Sequence, residues 1–113
     1  MINIKEFYDK IGENYEETKK RLCNDDMISR FVLMFLKDGT YAELENSLER
    51  KDVFSSFRAA HTLKGIAANL GFNKLAKAAS ALTEILRGGA LPEDSESLKN
   101  VSAEYERIML AGK

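Results

Sequence analysis

His61 is the one histidine in this chain of 113 residues, and its neighbours give it chemical interest. Lys64 follows at i+3 and Gly65 at i+4, the spacings at which side chains on one face of an α-helix meet. An imidazole has an ordinary pKa of about 6.5, so much of it is neutral at cellular pH and an exposed ring nitrogen is a nucleophile that needs no dedicated base. A lysine one turn along can offset the charge of a phosphoryl group, its ammonium acting as a point charge on a flexible stem. Glycine inside a helix costs about 1 kcal/mol relative to alanine, so Gly65 implies a reason for leaving its space open. Without a Cβ there, one edge of the imidazole is clear for a partner's surface, and Ala68 continues the low ground. The chemistry this spacing fits is that of a phosphate acceptor. Arg58, at i−3, is a second cation that could neutralise a phosphoryl group or steer an acidic partner.

Helical geometry must present these residues together. At about 100° per residue, Ala59, Leu63, Ile66 and Leu70 fall opposite His61 and form the core stripe, while Phe54, Phe57, Arg58, Lys64, Gly65 and Ala68 share its side. The pattern predicts this helix over about Asp52 to Leu70, with Gly71 as the left-handed residue that stops it. Glycines at punctuation points and a single proline, Pro92, leave the rest of the chain reading as helix, with no convincing strand.

A lead over residues 1–22 combines an amphipathic stretch (Ile4, Phe7, Tyr8, Ile11) with a charged one (Tyr15 to Leu22). The main helices occupy 25–111. Asp25 to Lys37 carries Ile28, Phe31, Val32 and Phe35 on one face, and Leu33, Met34 and Leu36 predict cover on more than one side. Thr40 with Glu43 reads as a capping box for the next helix, whose inner face is Tyr41, Leu44 and Leu48. Asn73 reads as the cap of a helix burying Leu75, Ala79, Leu82 and Leu86 until Gly88, and a last helix from Pro92 and Glu93 buries Leu98, Val101, Tyr105 and Ile108. Alanines at 67, 68, 76, 78, 79 and 81 let the histidine helix and its successor approach closely. Short connections make successive helices antiparallel, so the expected fold is all-α: an antiparallel up-and-down four-helix bundle with additional short N-terminal helices, one domain over 1–113.

Composition narrows the function. Seventeen Lys and Arg against eighteen Asp and Glu leave no global field for nucleic acid or an anionic membrane, and Lys19, Lys20 and Arg21 read as a solvated face. No Gly-rich phosphate loop is present. The start has no apolar run of signal-peptide length and no segment approaches the ~20 apolar residues of a membrane span. The lone Cys23 fits a reducing compartment and reads as a small, partly buried hydrophobe. A cytoplasmic protein is expected, one whose phosphate arrives from another protein. The adjacent acidic pairs, Glu16 with Glu17, Asp25 with Asp26 and Glu93 with Asp94, diverge on a helix and read as charge complementing helix N-termini. With one histidine, one cysteine and no spaced ligand set, neither a metal site nor a cofactor of its own is expected.

The run from Phe57 to Gly71, with His61, Lys64 at i+3, Gly65 at i+4 and a small-residue stretch ending in Leu70 and Gly71, closely resembles the histidine-containing phosphotransfer (HPt) domain, and the likeness extends through Asn73 to Arg87. The resemblance implies a monomeric four-helix bundle with an extra N-terminal helix, acting in multistep two-component phosphorelays. It implies that His61 accepts a phosphoryl group, on the ring nitrogen distal to the backbone, from the aspartyl phosphate of one response-regulator receiver domain and passes it to another. It carries Lys64 over as the charge-stabilising neighbour and Gly65 as the clearance residue, and assigns Mg²⁺ to the receiver. Ile66 stands where many members have a small residue. A histidine kinase is an alternative donor, but nothing in the chain could activate ATP. Met1 and the short tail lead us to expect a whole protein.

The expected docking surface is Phe57, Arg58, Lys64, Gly65 and Ala68. Phe54 and Phe57 either join it or pack under the N-terminal segment. The competing reading is a helical bundle that binds receivers or other signalling proteins without being phosphorylated.

Overall fold

The computed structural model describes residues 3–93 and 95–113. Among them the chain forms α1 (Ile4–Ile11), α2 (Tyr15–Leu22), α3 (Asp25–Lys37), α4 (Thr40–Glu49), α5 (Val53–Asn69), α6 (Asn73–Arg87) and α7 (Glu96–Ala111), with no strand. Asparagine side chains cap the first three helices: Asn3, Asn14 and Asn24 accept the backbone N–H three residues on. Glu16, Glu17, Asp25 and Asp26 fall in first turns, where carboxylates complement the helix dipole. Of the third acidic pair, Asp94 lies outside the described residues.

Only Asp38 and Gly39 separate α3 from α4, and the two helices make one broken arm running antiparallel to α5. Phe31, Met34 and Asp38 lie beside Leu70, Asn69 and Ile66, while Thr40 and Glu43 lie beside Ser55, Ala59 and Thr62. From there α5, α6 and α7 follow by short turns, and Tyr41 of α4 stacks on Tyr105 of α7, centroids 3.9 Å apart at 11°, to close the ring of four arms. The result is an up-and-down bundle of 39 × 23 × 20 Å. One continuous core runs from Ile4 to Ile108.

The turn between α5 and α6 ties the N-terminal lead to this bundle. Gly71 is left-handed (φ 77°); its N–H donates to Ala68 O (3.2 Å) and that of Phe72 to Ala67 O (2.9 Å), the paired bonds that satisfy the last carbonyls of a helix. The Tyr8 hydroxyl donates to Leu70 O at 2.5 Å, with the Thr18 hydroxyl 3.4 Å from the same carbonyl. Arg21 donates to Asn69 O and Ala68 O at 3.3 and 3.2 Å. Burial pushes the Tyr8 phenol up, so it stays a donor across the working pH range. Phe72, fully buried, meets the rings of Phe7, Tyr8 and Phe35.

Several local expectations are overturned. Gly39, not Thr40, occupies the cap of α4, and the Thr40 N–H is taken by Asp38 Oδ1 at 2.8 Å, so the aspartate two residues upstream supplants the capping box. Asn73 is the first residue of α6, not its cap; Glu13 from the α1–α2 connection reaches across and accepts the Lys74 N–H at 2.8 Å. Burial, the largest influence on Glu13, raises its pKa. Gly88 does end α6, as expected, staying right-handed with the left-handed Gly89 (φ 86°) after it. Helix α7 begins only at Glu96, capped by Ser95, and Leu98 and Tyr105 are half-buried rather than buried. Helix α3 is covered on one side only: Leu33 and Met34 are 46% and 61% exposed, while its buried residues, Ile28, Val32 and Phe35, share the other face. Cys23 is exposed at the end of α2, outside the core, since its φ of 76° turns the chain there.

Gly71→Ala should destabilise the fold by at least about 1–2 kcal/mol, the cost of a left-handed L-residue, since its Cβ would also strike the Thr18 hydroxyl; urea denaturation measures it, and an unchanged midpoint would refute the role given to this turn. The cap of α5 gives a pH signature. Backbone and side-chain hydrogen bonds from Ser55 hold Asp52 below its ordinary value of 3.8. Its contribution is therefore complete above that value and lost as pH falls through the depressed folded value. Asp52→Ala should flatten that acid limb of the stability profile, followed by urea midpoints at successive pH values.

Candidate phosphoryl-acceptor site

Helix α5 owes its register to its two ends. The Asp52 carboxylate accepts the Ser55 N–H (3.0 Å) and hydroxyl (2.8 Å), and Gly71 fixes the other end. Between them Ser56, Ala59, Ala60, Leu63 and Ala67 are buried, as is Leu70. The buried arc is turned toward α6 relative to the sequence expectation: Ala60 and Ala67 are fully buried, while Ile66 is only half-buried. Small side chains are the cause. Ala60 and Ala67 meet a helix that itself presents Ala78 and Ala79, and close approach of two helices buries even a methyl group. Of the dense alanines, Ala68 and Ala81 are exposed.

His61 is exposed on the opposite side, together with Arg58, Thr62, Gly65 and Ala68, and Lys64 is half-buried. From Val53 to Asn69 the helix has no carboxylate, so Arg58, His61 and Lys64 share a face with no acid of their own helix, while Glu43 of α4 lines a groove with Arg58 and Thr62. Lys64 has no ion-pair or hydrogen-bond partner among the described residues, so its ammonium is free to follow an incoming anion. A Cβ built on Gly65 meets nothing within 4 Å; nothing inside the fold requires glycine there.

Phe57 and Phe54 do not pack under the N-terminal segment, which lies at the other end of α5. Phe54 is 68% exposed, with the Arg58 guanidinium carbon 5.8 Å from its ring centroid. Phe57 is half-buried. Its ring lies nearly parallel to that of His61, 16° apart with centroids 6.0 Å apart, and the Arg87 guanidinium carbon of α6 stands 5.0 Å from its centroid.

Two grooves flank the face. One lies at the start of α5 and end of α6, lined by Val53, Phe54, Phe57, Leu86 and Arg87. The other lies between α3 and the second half of α5, lined by Phe31, Met34, Ile66 and Asn69. Arg87, Phe31 and Met34 are the residues that sequence reasoning missed. A second stripe at i, i+4, i+7, formed by Met27, Phe31 and Met34, was the available signal for the latter two; nothing local marks Arg87. Among the described residues no three His, Cys, Asp or Glu side chains converge as metal ligands, and no helix is long and apolar enough to cross a membrane.

A match to the Hpt domain family covers residues 37–110, which takes in α4, α5 and α6 whole and nearly all of α7. The chain belongs to the Hpt domain family. Its members serve histidine phosphotransfer in two-component phosphorelays, alongside receiver domains and kinases. No curated protein and no solved structure matches the chain.

The open space at Gly65 yields a stability prediction. Gly65→Ala should leave the fold intact and raise its stability by up to about 1 kcal/mol, the helix-propensity difference; a lower urea midpoint would show that the fold itself needs the glycine.

Proposed function

We propose that the protein is a phosphorelay carrier that accepts a phosphoryl group on His61 from a receiver aspartyl phosphate and passes it to the aspartate of another receiver. The observation that carries this reading is an exposed imidazole on a helix that bears no carboxylate, with a free lysine at i+3 and empty space at i+4. The lone pair of the distal nitrogen, Nε2, attacks phosphorus as the bond from phosphorus to the aspartyl oxygen breaks. The aspartate leaves as a carboxylate, and the ring becomes an Nε2-phosphoryl imidazolium that is neutralised when its Nδ1 proton passes to water. The second transfer is the same step reversed, with a new carboxylate as nucleophile.

Lys64 offsets charge on the transferring group, and Gly65 with Ala68 lets the receiver's loops approach the ring. Positioning and charge neutralisation supply most phosphoryl-transfer catalysis, so a carrier this bare works when its partner brings the rest: the Mg²⁺ sits in the receiver's acidic pocket, and the carrier has no cofactor of its own. Arg58, Lys64, Gly65 and Ala68 contact the receiver, with Phe57 at the edge of that surface, and the exposed apolar groove of Phe31, Met34 and Ile66 extends the contact onto α3. A histidine kinase is the alternative donor. We read the chain as a cytoplasmic monomer forming one HPt domain over residues 1–113.

Labelled receiver aspartyl phosphate mixed with the protein should give acid-labile, base-stable label on the wild type and none on His61→Gln of unchanged helical content. Transfer from no receiver or kinase of the source organism, with binding retained, would instead establish the non-phosphorylated binding module. Lys64→Ala should slow transfer by about tenfold, the effect of one charge-assisted contact at a half-exposed site, in rapid-quench measurements; an unchanged rate would remove Lys64 from the site.

A further inference from the structure

Arg87 lies on a different helix from His61, and its place in the structure is tied to the imidazole through one intermediary. Its guanidinium carbon is 5.0 Å from the centroid of the Phe57 ring, and its Nε is 3.1 Å from Glu84 Oε2 one turn earlier on α6. The Phe57 ring in turn lies nearly parallel to that of His61 at 6.0 Å. A guanidinium over an aromatic face is attracted by the ring quadrupole, and offset aromatic pairs at this separation hold a preferred geometry.

A solvent-facing histidine on a helix otherwise samples more than one staggered χ1 well, and each well directs its distal nitrogen differently. Phe57 is packed half-buried against the core, forms one wall of the groove that Val53, Leu86 and Arg87 also line, and has the Arg87 guanidinium against its ring. It thus offers the imidazole a fixed plane on which to rest.

We propose that Phe57 and Arg87 are positioning residues: Arg87, held by Glu84, braces Phe57 on α5, and Phe57 holds the His61 ring in the orientation that directs its nucleophilic nitrogen out of the face. This rests on the carrier reading above, and it moves Phe57 from a docking contact to an orienting one. In-line phosphoryl transfer is sensitive to the direction of the attacking lone pair, so the brace acts on the transfer step and not on association. Lys64 handles charge, Gly65 clearance, and the Phe57–Arg87 pair aim.

The test uses the full chain with a phosphorylated receiver under single-turnover conditions, varying receiver concentration. Phe57→Leu should lower the transfer rate at saturation by about threefold to tenfold, the population factor that one aromatic pair supplies, with the half-saturating concentration unchanged; Phe57→Tyr should restore it. Arg87→Gln should show a smaller loss of the same kind, and the Phe57→Leu, Arg87→Gln double variant should be no slower than Phe57→Leu alone, since both act through one ring. In NMR spectra the His61 ring-proton shifts should move toward those of a free imidazole in Phe57→Leu and return in Phe57→Tyr. A rise in half-saturating concentration would make Phe57 a docking residue, additive rate effects would give Arg87 a role of its own, and unchanged ring shifts would show that no stack orients the imidazole; each overturns the proposal. The shifts are read on unphosphorylated protein, so they test the stack even if His61 never takes label, which would defeat the carrier reading separately.

Discussion

Burial of one side of α5 is the constraint on which the remaining structure depends. Ser56, Ala60, Leu63 and Ala67 are withdrawn completely from solvent, and a helix rotates about 100° per residue, so fixing those four fixes the azimuth of every other residue on α5. His61 faces out because Ala60 and Leu63 face in. The rotation is stiff: turning the helix by one residue would drive the imidazole and Lys64 toward the core and expose Leu63. Burying an unpaired cation is far costlier than burying a leucine is favourable.

What secures that rotation lies at the ends of α5. Asp52 holds one terminus by a local hydrogen-bond pair. The other is held by groups distant in sequence, with Tyr8, Thr18 and Arg21 gathered on the carbonyls of Ala68, Asn69 and Leu70. The α1–α2 lead thus does more than extend the core. It satisfies carbonyls that a helix leaves unpaired, and through Glu13 it caps the next helix as well. The site remains open because this support arrives at the far end of the helix and leaves the middle of α5 uncovered.

The face around His61 is as notable for what it omits as for what it displays. A helix without carboxylates between Val53 and Asn69 sets no negative charge of its own beside an incoming anion, and the same face is compatible with the acidic pocket of a receiver. The apolar ground on either side differs in kind. Near Arg87 it is half-buried and braced by a guanidinium, whereas along α3 it is open, with Met34 61% exposed. The α3 stretch falls almost wholly outside the family match over 37–110.

The helices, their amphipathic faces, the stop at Gly71 and the outward direction of His61 are legible in the amino-acid order alone, because each follows from interactions within a few residues: periodicity, a capping side chain, a glycine able to adopt positive φ. The same order also places His61, Lys64 and Gly65 together, since helical spacing is local geometry. Which alanines are core depends on how the helices pack, for Ala67 and Ala68 are chemically identical and differ in whether a neighbouring helix comes close; the same packing sets what local order does not. It alone supplied Glu13 as the cap of α6, the three donors on the end of α5, the bare outer side of α3, and Arg87 against Phe57. Those pairings join residues tens of positions apart, and no local pattern encodes a partner that chain folding must bring into place.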